Sequence, residues 1–327
     1  MTKDEIKALE ARIQKERHNY YNGTPKIKDS VYDKLEDQLR AVKPNSPVLR
    51  KVGAAVVGAD VKLPYAILSL DKIKENAEAW LERNPGPYVI MDKLDGYSME
   101  NVCDGKAWQV FTRGDGYYGK DKSFMADALK LPDPKRVGSM GVRAEALISK
   151  TRFKSMADKY EDYGGKKPFE NERNAVGSAI NRGASNQNPK MVGAIKMVAY
   201  EVLSHTQEWK PSVQLKKLKA LGFETVWHEV HKVLDAETLS AVLKERKAKS
   251  PYLIDGIVVI IDKPYRRATV TNPKYAVAFK EHAEEEFKDV EVERIEWQPS
   301  AHGVLKPVII IKEMSDEAKS RLRKATR

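Results

Sequence analysis

Short apolar runs that alternate irregularly with amphipathic stretches constrain the fold of this chain more than any other feature. Seven of these runs predict β-strands, because they are rich in β-branched and aromatic residues and are bounded by turn residues. They are YVIMDK, SMENVC, KAWQVFTR, VRAEALI, KMVAYEVL, LIDGIVVIID and YAVAFKE. Asp104-Gly105 predicts a hairpin between the second and third runs, and helices are predicted near residues 151–163, 173–182, 211–220 and 235–248. This mixture predicts an α+β fold of antiparallel sheets with flanking helices.

The first 60 residues have helical periodicity instead. Thr2 and Glu5 match a capping box, and Asp29 is placed to cap a second helix that ends before Pro44 and Pro47. Apolar residues recur at helical spacing in both stretches: Ile6, Leu9 and Ile13, then Val31, Leu35, Leu39 and Val42. The sequence therefore predicts a small helical module over about residues 1–60.

The C-terminal segment has a different pattern. The runs VEVERIEWQ and VLKPVIIIK flank His302-Gly303 and predict a further hairpin, and Ser315 is placed to cap a short basic helix. We therefore expect three parts, with boundaries at residues 1–60, 61–283 and 284–327.

Composition limits the classes of protein to consider. The 327 residues are 41% hydrophobic and 32% charged, which is typical of a soluble protein. No apolar run is long enough to span a bilayer and the N-terminus lacks a signal peptide, so we expect a cytoplasmic protein without a membrane partner. Cys103 is the single cysteine, which excludes an internal disulfide and a four-thiolate zinc site. The formal charge of +11 favours a polyanionic partner.

Lys93 lies in DKLDGYSM, between an apolar run and an Asp-Gly turn. Alone, it is as readily a solvated lysine at a strand end as a functional one. Residues that can support a nucleotide-accepting lysine follow along the predicted strands: Asp95, Arg113, Glu145, Tyr200, Asp255 and Lys280. Such a lysine needs a deprotonated amine, and nearby cations favour that state. The site also needs carboxylates to hold the sugar hydroxyls and a metal ion, and an aromatic ring against which the base can stack.

In the order and spacing of these motifs the chain resembles the NAD-dependent DNA ligases over nearly its whole length. The nucleotidyltransferase signature Lys-x-Asp-Gly is met by Lys93 to Gly96, and the Thr-Arg-Gly-Asp-Gly of these ligases by Thr112 to Gly116. The family's Arg-Gly-Glu strand corresponds to Arg-Ala-Glu at 143–145, and its Asn-Pro-Arg-Asn helix start to Asn-Glu-Arg-Asn at 171–174. Its Asp-Gly-Val-Val motif corresponds to Asp-Gly-Ile-Val at 255–258, and Ala-Phe-Lys is present at 278–280. LSLDK at 68–72 resembles the Leu-Ser-Leu-Asp-Asn segment at the adenosine pocket, which implies contacts from Ser69 and Leu70.

The helical module determines which cofactor the resemblance implies. NYYNGTPKIKDSVYD resembles the module that recognises nicotinamide mononucleotide in this family and that ATP-dependent ligases lack. The corresponding residues are Tyr20, Tyr21, Asp29, Tyr32 and Asp33. Aromatic rings and acids suit the positively charged nicotinamide ring. The implied cofactor is therefore NAD.

The resemblance implies a three-step mechanism with magnesium and a nicked double-stranded DNA substrate. Lys93 takes AMP from NAD, the AMP passes to a 5′-phosphate, and a 3′-hydroxyl then displaces it. The implied catalytic residues are Lys93, Asp95, Arg113, Asp255 and Lys280. Tyr200 is expected to stack on adenine, Glu145 and Asp95 to hold ribose or metal-bound groups, and Arg173 and Lys280 to contact phosphates. Glu145 and Asp255 are the candidate carboxylates for the metal.

Three positions depart from the family pattern. Met91 replaces a glutamate that contacts adenine, and Ile260 replaces a lysine. Lys263 lies nearby, but strand alternation puts it on the opposite face from position 260 unless a β-bulge intervenes. Arg182 is the candidate for a second arginine of the helix that starts at 171.

The C-terminal hairpin resembles the start of the family's OB-fold, but too few residues follow it here to close a five-stranded barrel. We therefore expect a small form without zinc-finger, helix-hairpin-helix or BRCT modules. It is either a fragment or split form whose barrel a second polypeptide completes, or a minimal, reduced form. Two other functions remain open. An RNA ligase or capping-type nucleotidyltransferase shares the Lys-x-Asp-Gly core but leaves the helical module unexplained, and a non-catalytic DNA-binding relative has no need of Lys93.

Overall fold

The computed structural model describes residues 1–21, 27, 29–44, 46–50, 61–73, 77–165, 168–281, 292–299 and 305–311. The chain divides into two compact units, residues 1–281 and residues 282–327, and each is described by itself. The predicted boundary at residue 60 lies outside the described residues.

The α-helices of the described residues are α1 (Lys3–Tyr21), α2 (Asp29–Val42), α3 (Pro47–Arg50), α4 (Ala77–Arg83), α5 (Pro134–Val137), α6 (Lys150–Met156), α7 (Glu172–Ile180), α8 (Pro189–Val192), α9 (Pro211–Leu221) and α10 (Ala236–Lys249). The strands of the first unit are β1 (Val61–Lys62), β2 (Asp71–Ile73), β3 (Tyr88–Leu94), β4 (Tyr97–Asp104), β5 (Trp108–Thr112), β6 (Tyr118–Gly119), β7 (Ser139–Leu147), β8 (Lys196–Val202), β9 (Glu224–Thr225), β10 (His228–His231), β11 (Ile254–Ile261) and β12 (Ala276–Phe279). The predicted α+β fold is confirmed, and each of the seven predicted strands and four predicted helices is present.

Helices α1 to α3 form a small module with its own apolar cluster. In the predicted capping box, Thr2 N donates to Glu5 Oε2 at 2.6 Å and Glu5 N donates to Thr2 Oγ1 at 3.2 Å. The buried residues of the cluster are Leu9, Ile13, Leu35, Leu39 and Val48. Val31 and Val42 lie in the first and last turns of α2, on the predicted helix, and are exposed. Pro47 begins α3 because its fixed φ suits the first turn of a helix.

Two five-stranded sheets form most of the first unit. Sheet A has the order β10-β3-β11-β12-β2, and sheet B has the order β5-β4-β7-β8-β9. Neighbouring strands are antiparallel except at one edge of each sheet, where β2 lies parallel to β12 and β9 lies parallel to β8. The prediction of purely antiparallel sheets is thus corrected at these edges, where each short strand is reached through a long connection rather than a hairpin.

Side chains that alternate along the strands place one apolar cluster between the sheets and one outside each sheet. Val89, Met91 and Ile260 of sheet A pack with Leu147 and Val198 of sheet B in the inner cluster. On the outer face of sheet A, residues such as Ile90 and Val259 pack with Leu239 and Leu243 of α10. The outer face of sheet B is covered by α7 and other helices. Since the inner face also carries Lys93, two residues after Met91, this packing positions the cleft.

The second unit contains one hairpin in its described part. Strand β13 (Val292–Pro299) pairs with β14 (Leu305–Ile311) in an antiparallel ladder. The predicted turn at His302-Gly303 and the helix predicted after Ser315 lie outside the described residues, and the assignment to an OB-fold stays a prediction.

Two further expectations can be compared with the structure. Cys103 is buried with 1% exposure, as expected for a small apolar residue. None of the helices that the structure describes is long and apolar enough to cross a membrane.

Candidate active site

Lys93 lies near the end of β3 and contacts Asp255 of β11. Its Nζ lies 2.8 Å from Asp255 Oδ1 and 3.0 Å from Oδ2, and Lys280 Nζ lies 2.7 Å from Oδ2. The register of β3 and β11 shifts between Ile254 and Gly256, so Asp255 is the extra residue of a β-bulge. Burial raises the pKa of Asp255, but the charges of Lys93 and Lys280 outweigh burial and hold this pKa well below its usual range. One carboxylate thus holds two lysines from neighbouring strands.

Each of the two acidic residues near Lys93 is followed by a glycine for a steric reason. A Cβ at Gly96 would collide with the carbonyl oxygen of Ala146, and a Cβ at Gly256 would lie 2.5 Å from the carbonyl oxygen of Phe279. Both distances are shorter than real Cβ atoms show, so the backbone approaches its neighbours too closely for any side chain. The Asp-Gly pairs therefore bring Asp95 and Asp255 into the cleft against adjoining strands.

Asp95 pairs with an arginine from the other side of the cleft. Arg173 Nη1 lies 2.6 Å from Asp95 Oδ1. Arg173 stands in the first turn of α7, whose N-cap Asn171 accepts from Asn174 N at 2.8 Å. The predicted helix start is therefore confirmed, and it aims the arginine at the cleft.

A buried polar group lines the cleft beyond Asp95. The Tyr200 hydroxyl donates to Glu145 Oε2 at 3.2 Å and lies 2.9 Å from Ser98 Oγ. The Arg143 guanidinium lies 5.5 Å from the centre of the Tyr200 ring. Burial raises the pKa of Glu145 to about 7, against the opposing charges of Arg173, Arg143 and Lys93. A carboxyl with this pKa titrates near neutral pH, which is typical of functional sites.

Arg113 connects the glycine-rich segment to the predicted adenosine segment. Its Nη2 donates to Ser69 Oγ at 2.7 Å, and its Nε donates to the Ile67 carbonyl at 3.2 Å. These bonds hold residues 67–69 along the side of the cleft that faces sheet B.

Asp33 brings the helical module to the same cluster. Its Oδ2 lies 3.5 Å from Lys280 Nζ, and its Oδ1 lies 2.5 Å from Lys72 Nζ. The Tyr32 hydroxyl accepts from Arg17 Nε at 2.7 Å and donates to Glu36 Oε1 at 2.8 Å. Tyr20 and Tyr21 lie in the last turn of α1 and Asp29 begins α2, but their side chains lie outside the described part of the structure.

One cavity of about 370 Å³ joins these groups, a volume within the range of small-molecule pockets. Every predicted site residue whose side chain the structure describes lines it: Tyr32, Asp33, Ser69, Leu70, Lys93, Asp95, Arg113, Glu145, Arg173, Tyr200, Asp255 and Lys280. The cavity therefore places lysines, arginines, carboxylates and an aromatic ring around one ligand-sized space.

Residues 61–284 match the family model for the NAD-dependent DNA ligase adenylation domain. The chain belongs to the NAD-dependent DNA ligase family. The resemblance found in its motifs is thereby confirmed, and residues 61–284 are called the adenylation domain below.

Two curated relatives and one solved structure give the extent of the similarity. A DNA ligase of Acanthamoeba polyphaga mimivirus is 35% identical over 94% of this chain and 47% of its own length. DNA ligase 1 of Nocardia farcinica is 32% identical over 93% of this chain and 48% of its own length. The chain thus spans about half the length of these relatives. The solved structure Pmar-Lig_PreS3 matches 92% of this chain and 66% of that one at 10% identity, and its TM-score of 0.43 is too low to carry an argument.

The departures from the ligase pattern lie at the apolar end of the cavity. Met91 and Ile260 line the cavity and are 6% and 7% exposed. A β-bulge does intervene at Asp255, but Lys263 follows the end of β11 and is exposed, so the bulge does not bring it into the cavity wall. Arg182 Nη2 donates to the Gly164 carbonyl at 2.5 Å, which gives this residue a structural contact.

Two charged pairs at the edge of the ligase cleft were not foreseen from the sequence. Lys72 contacts the helical module through Asp33. Arg246 makes a bidentate pair with buried Asp92, which precedes Lys93 in the chain, with Nε–Oδ1 2.8 Å and Nη2–Oδ2 3.0 Å. Because neighbouring side chains of a strand point to opposite faces, the Asp92 side chain faces away from the cleft that Lys93 lines. Strand periodicity alone could have predicted this orientation. No local signal identifies the partners, because Asp92 and Arg246 are 154 residues apart.

Proposed function

We propose that this chain forms a lysyl-adenylate from NAD at Lys93, as the first step in sealing nicks in double-stranded DNA. The observation that carries the proposal is the continuous series of charged contacts from Lys93 through Asp255 and Lys280 to Asp33 of the helical module. An ATP-dependent enzyme has no leaving nicotinamide nucleotide for such a module to contact. The contact of Asp33 with Lys280 therefore favours NAD.

In the proposed reaction, the Lys93 ammonium group releases a proton to water, and the lone pair of the resulting amine attacks the adenylyl phosphorus. The nitrogen releases a second proton to water as the phosphoramidate forms. A phosphorus–nitrogen bond forms, the phosphorus–oxygen bond to nicotinamide mononucleotide breaks, and that nucleotide leaves with the bonding electrons. Asp255 orients Lys93, and Lys280 offsets negative charge that develops on the phosphate oxygens. Arg173 and Arg113 are the further cations for phosphate contacts, with Asp95 holding Arg173 in position.

The nucleoside is proposed to occupy the other end of the cavity. Tyr200 presents a ring for the base, while Glu145 and Asp95 offer oxygen atoms to the ribose hydroxyls. Ser69 and Leu70 border the same space. The nicotinamide nucleotide would contact the helical module through Tyr20, Tyr21, Asp29, Tyr32 and Asp33.

Magnesium fits this site only as an ion held mainly by phosphates. Among the described residues, no three His, Cys, Asp or Glu side chains cluster as a metal site. Asp255 has both oxygens on lysines, which leaves Glu145 as the less engaged of the two candidate carboxylates. Magnesium commonly binds one or two carboxylates together with substrate phosphates and water. When bound, it would neutralise phosphate charge.

The remaining expectations are part of the proposal. Nicked double-stranded DNA is the proposed substrate of the later steps, in agreement with the charge of +11. A second polypeptide that completes an OB-fold around the 284–327 segment, the division at residues 60 and 283, and a cytoplasmic location are proposed on the sequence arguments given above.

Mass spectrometry after separate incubation with NAD, ATP or GTP, each with magnesium, tests the proposal. We expect one AMP adduct, located on Lys93 by peptide mapping, with NAD and not with ATP or GTP. An adduct formed with ATP or GTP alone would indicate an RNA ligase or capping-type nucleotidyltransferase. No adduct with any nucleotide would indicate a non-catalytic DNA-binding relative.

A further inference from the structure

Lys72 connects the adenylation domain to the helical module. It stands in β2, the edge strand parallel to β12, and Lys72 lies opposite Ala278 in the register. Its Nζ lies 2.5 Å from Asp33 Oδ1 and 3.6 Å from Glu36 Oε2, both on α2. The Lys72 side chain is 29% exposed and the Asp33 side chain 16%, so the contact is partly removed from water.

Both carboxylates that contact Lys72 are held by other charged groups. Glu36 Oε1 lies 3.0 Å from Arg17 Nη2, and Arg17 Nη1 donates to the Val48 carbonyl at 2.8 Å, which ties α2 to α1 and α3. Asp33 Oδ2 lies 3.5 Å from Lys280 Nζ. A movement of Lys72 would therefore be transmitted to the whole module and to the lysines of the active site.

The apolar packing of the module does not extend to the adenylation domain. Within the described residues, the apolar cluster of the module contains only residues from Ile6 to Leu49. Charged contacts are thus the described link between the two parts, and such contacts position groups more than they stabilise folds. Burial lowers the pKa of Lys72, but Glu36 and Asp33 outweigh burial and raise it, so Lys72 is an ammonium ion at neutral pH.

We infer that Lys72 is a positioning residue that docks the helical module over the cleft before NAD binds. The inference rests on the proposed function and adds Lys72 to it. Lys72 stands where the family's Leu-Ser-Leu-Asp-Asn segment has asparagine. By holding Asp33 and Glu36, Lys72 keeps α2 where Tyr32 and Asp33 line the cavity. Without this contact, part of the binding energy of NAD must be used to dock the module, which weakens apparent affinity. Once NAD is bound, the chemistry at Lys93 is unchanged.

The kinetic test compares Lys72→Met and Lys72→Arg with Lys274→Met as the matched control. Lys274 Nζ lies 3.0 Å from Asp71 Oδ2, next to Lys72 in the chain, but its side chain is 81% exposed. For Lys72→Met we expect the KM for NAD in lysyl-adenylate formation to rise about tenfold, with the rate at saturation within about threefold, as for loss of a charge-assisted hydrogen bond. Lys72→Arg should recover most of the loss, and Lys274→Met should equal the wild type.

A second test does not depend on catalysis. Zero-length carbodiimide cross-linking joins a lysine to a carboxylate that it contacts. In the NAD-free wild-type protein we expect peptides that join Lys72 to Asp33 or Glu36. The positive control is Lys43–Glu10, which are 2.9 Å apart, with Glu10 16% exposed like Asp33.

The outcomes separate this inference from the proposed function. An unchanged KM in Lys72→Met, an equal loss in Lys274→Met, or cross-links at Lys43 but none at Lys72 would overturn the role of Lys72. Absence of any adduct in the wild type would overturn the proposed function, while the cross-link would still report docking. If Lys72→Met fails to fold, Lys72→Arg and the wild-type cross-link decide.

Discussion

The two ends of the active-site cleft are built on the same three strands, but opposite physical principles hold them. At the charged end, Lys93 of β3, Asp255 of β11 and Lys280, which follows β12, contact one another through ion pairs. Two to five residues further along β3 and β11, Met91, Val258 and Ile260 line the same cavity with apolar side chains. Alternation places Lys93 and Met91 on the same face of β3, and on β11 the bulge at Asp255 brings this residue to the face that carries Val258 and Ile260.

This contrast indicates how each end should respond to substitution. At the charged end every group depends on the charge of its neighbours, so a change that preserves size but removes charge leaves partners buried and unpaired. At the apolar end the side chains pack with Tyr200 and Tyr275 in the inner cluster, where size and apolar character suffice. Substitutions matched in size at the two ends therefore sharpen the comparison.

Lys93→Arg should have the largest effect. Arginine keeps the positive charge and can pair with Asp255, but its guanidinium does not deprotonate and cannot attack phosphorus. We expect formation of the adenylate to fall by at least about 10⁴-fold, measured by intact-protein mass spectrometry after incubation with NAD. Lys263→Arg, at an exposed position nearby, is the control. An adduct that persists on another lysine would show that Lys93 is not the nucleophile.

Asp255→Asn should have the next largest effect. The amide keeps the size of the carboxylate but leaves the ammonium groups of Lys93 and Lys280 to repel each other. We expect the rate of adenylate formation at saturating NAD to fall about 10²- to 10³-fold. The control is Asp162→Asn, which removes an exposed partner of Lys190. A rate within tenfold of the wild type would mean that the charged end does not depend on this carboxylate.

Glu145→Gln tests the buried carboxyl between the two ends. Burial raises its pKa from the ordinary 4.5 to about 7. The folded protein then holds this proton more tightly than the unfolded chain does. The stabilisation of the fold by protonated Glu145 is therefore fully present below pH 4.5 and is lost as the pH rises through 7. The free energy of unfolding of the wild type should therefore fall between about pH 5 and 8. In Glu145→Gln this fall, measured by urea unfolding, should be smaller than in the wild type by about 1–3 kcal/mol.

Glu100 supplies the matched variant for this measurement. Its side chain is fully buried, and burial raises its pKa to about 7 as well. Glu100→Gln should remove its own part of the fall in stability with rising pH, and the double variant should remove both parts. A full pH dependence retained in Glu145→Gln would mean that Glu145 is ionised in the folded protein at neutral pH.

The central strands could be predicted from the sequence because their signals are local: apolar runs and Asp-Gly turns are each read within a few residues. The cavity residues could be predicted because their motifs resemble those of the ligase family. The edge strands β2, β9 and β10 could not, since two to four residues carry no periodicity and their pairing comes from tertiary contacts. The bulge that presents Asp255 was an open alternative for the same reason.

Lys72 shows why part of the site could not be predicted. It follows the motif LSLD directly, but its partner Asp33 is 39 residues away on a helix of another part of the chain. Sequence periodicity places Asp33 on α2 and cannot state which strand lies opposite. Long-range ion pairs of this kind are determined by how separate elements pack.

Met91→Leu should have the smallest effect and defines the tolerance of the apolar end. Met91 is 6% exposed, and a change that conserves volume in such a place costs less than about 1.5 kcal/mol. We expect the rate of adenylate formation to lie within about threefold of the wild-type rate. Urea unfolding of the same preparations measures the loss of stability. Met91→Glu is the contrasting variant, because it places a carboxylate opposite Val258, which offers no hydrogen-bond donor from its side chain. It should destabilise the fold by several-fold more than Met91→Leu. A loss in Met91→Leu as large as that in Asp255→Asn would show that shape at the apolar end is as critical as charge beside Lys93.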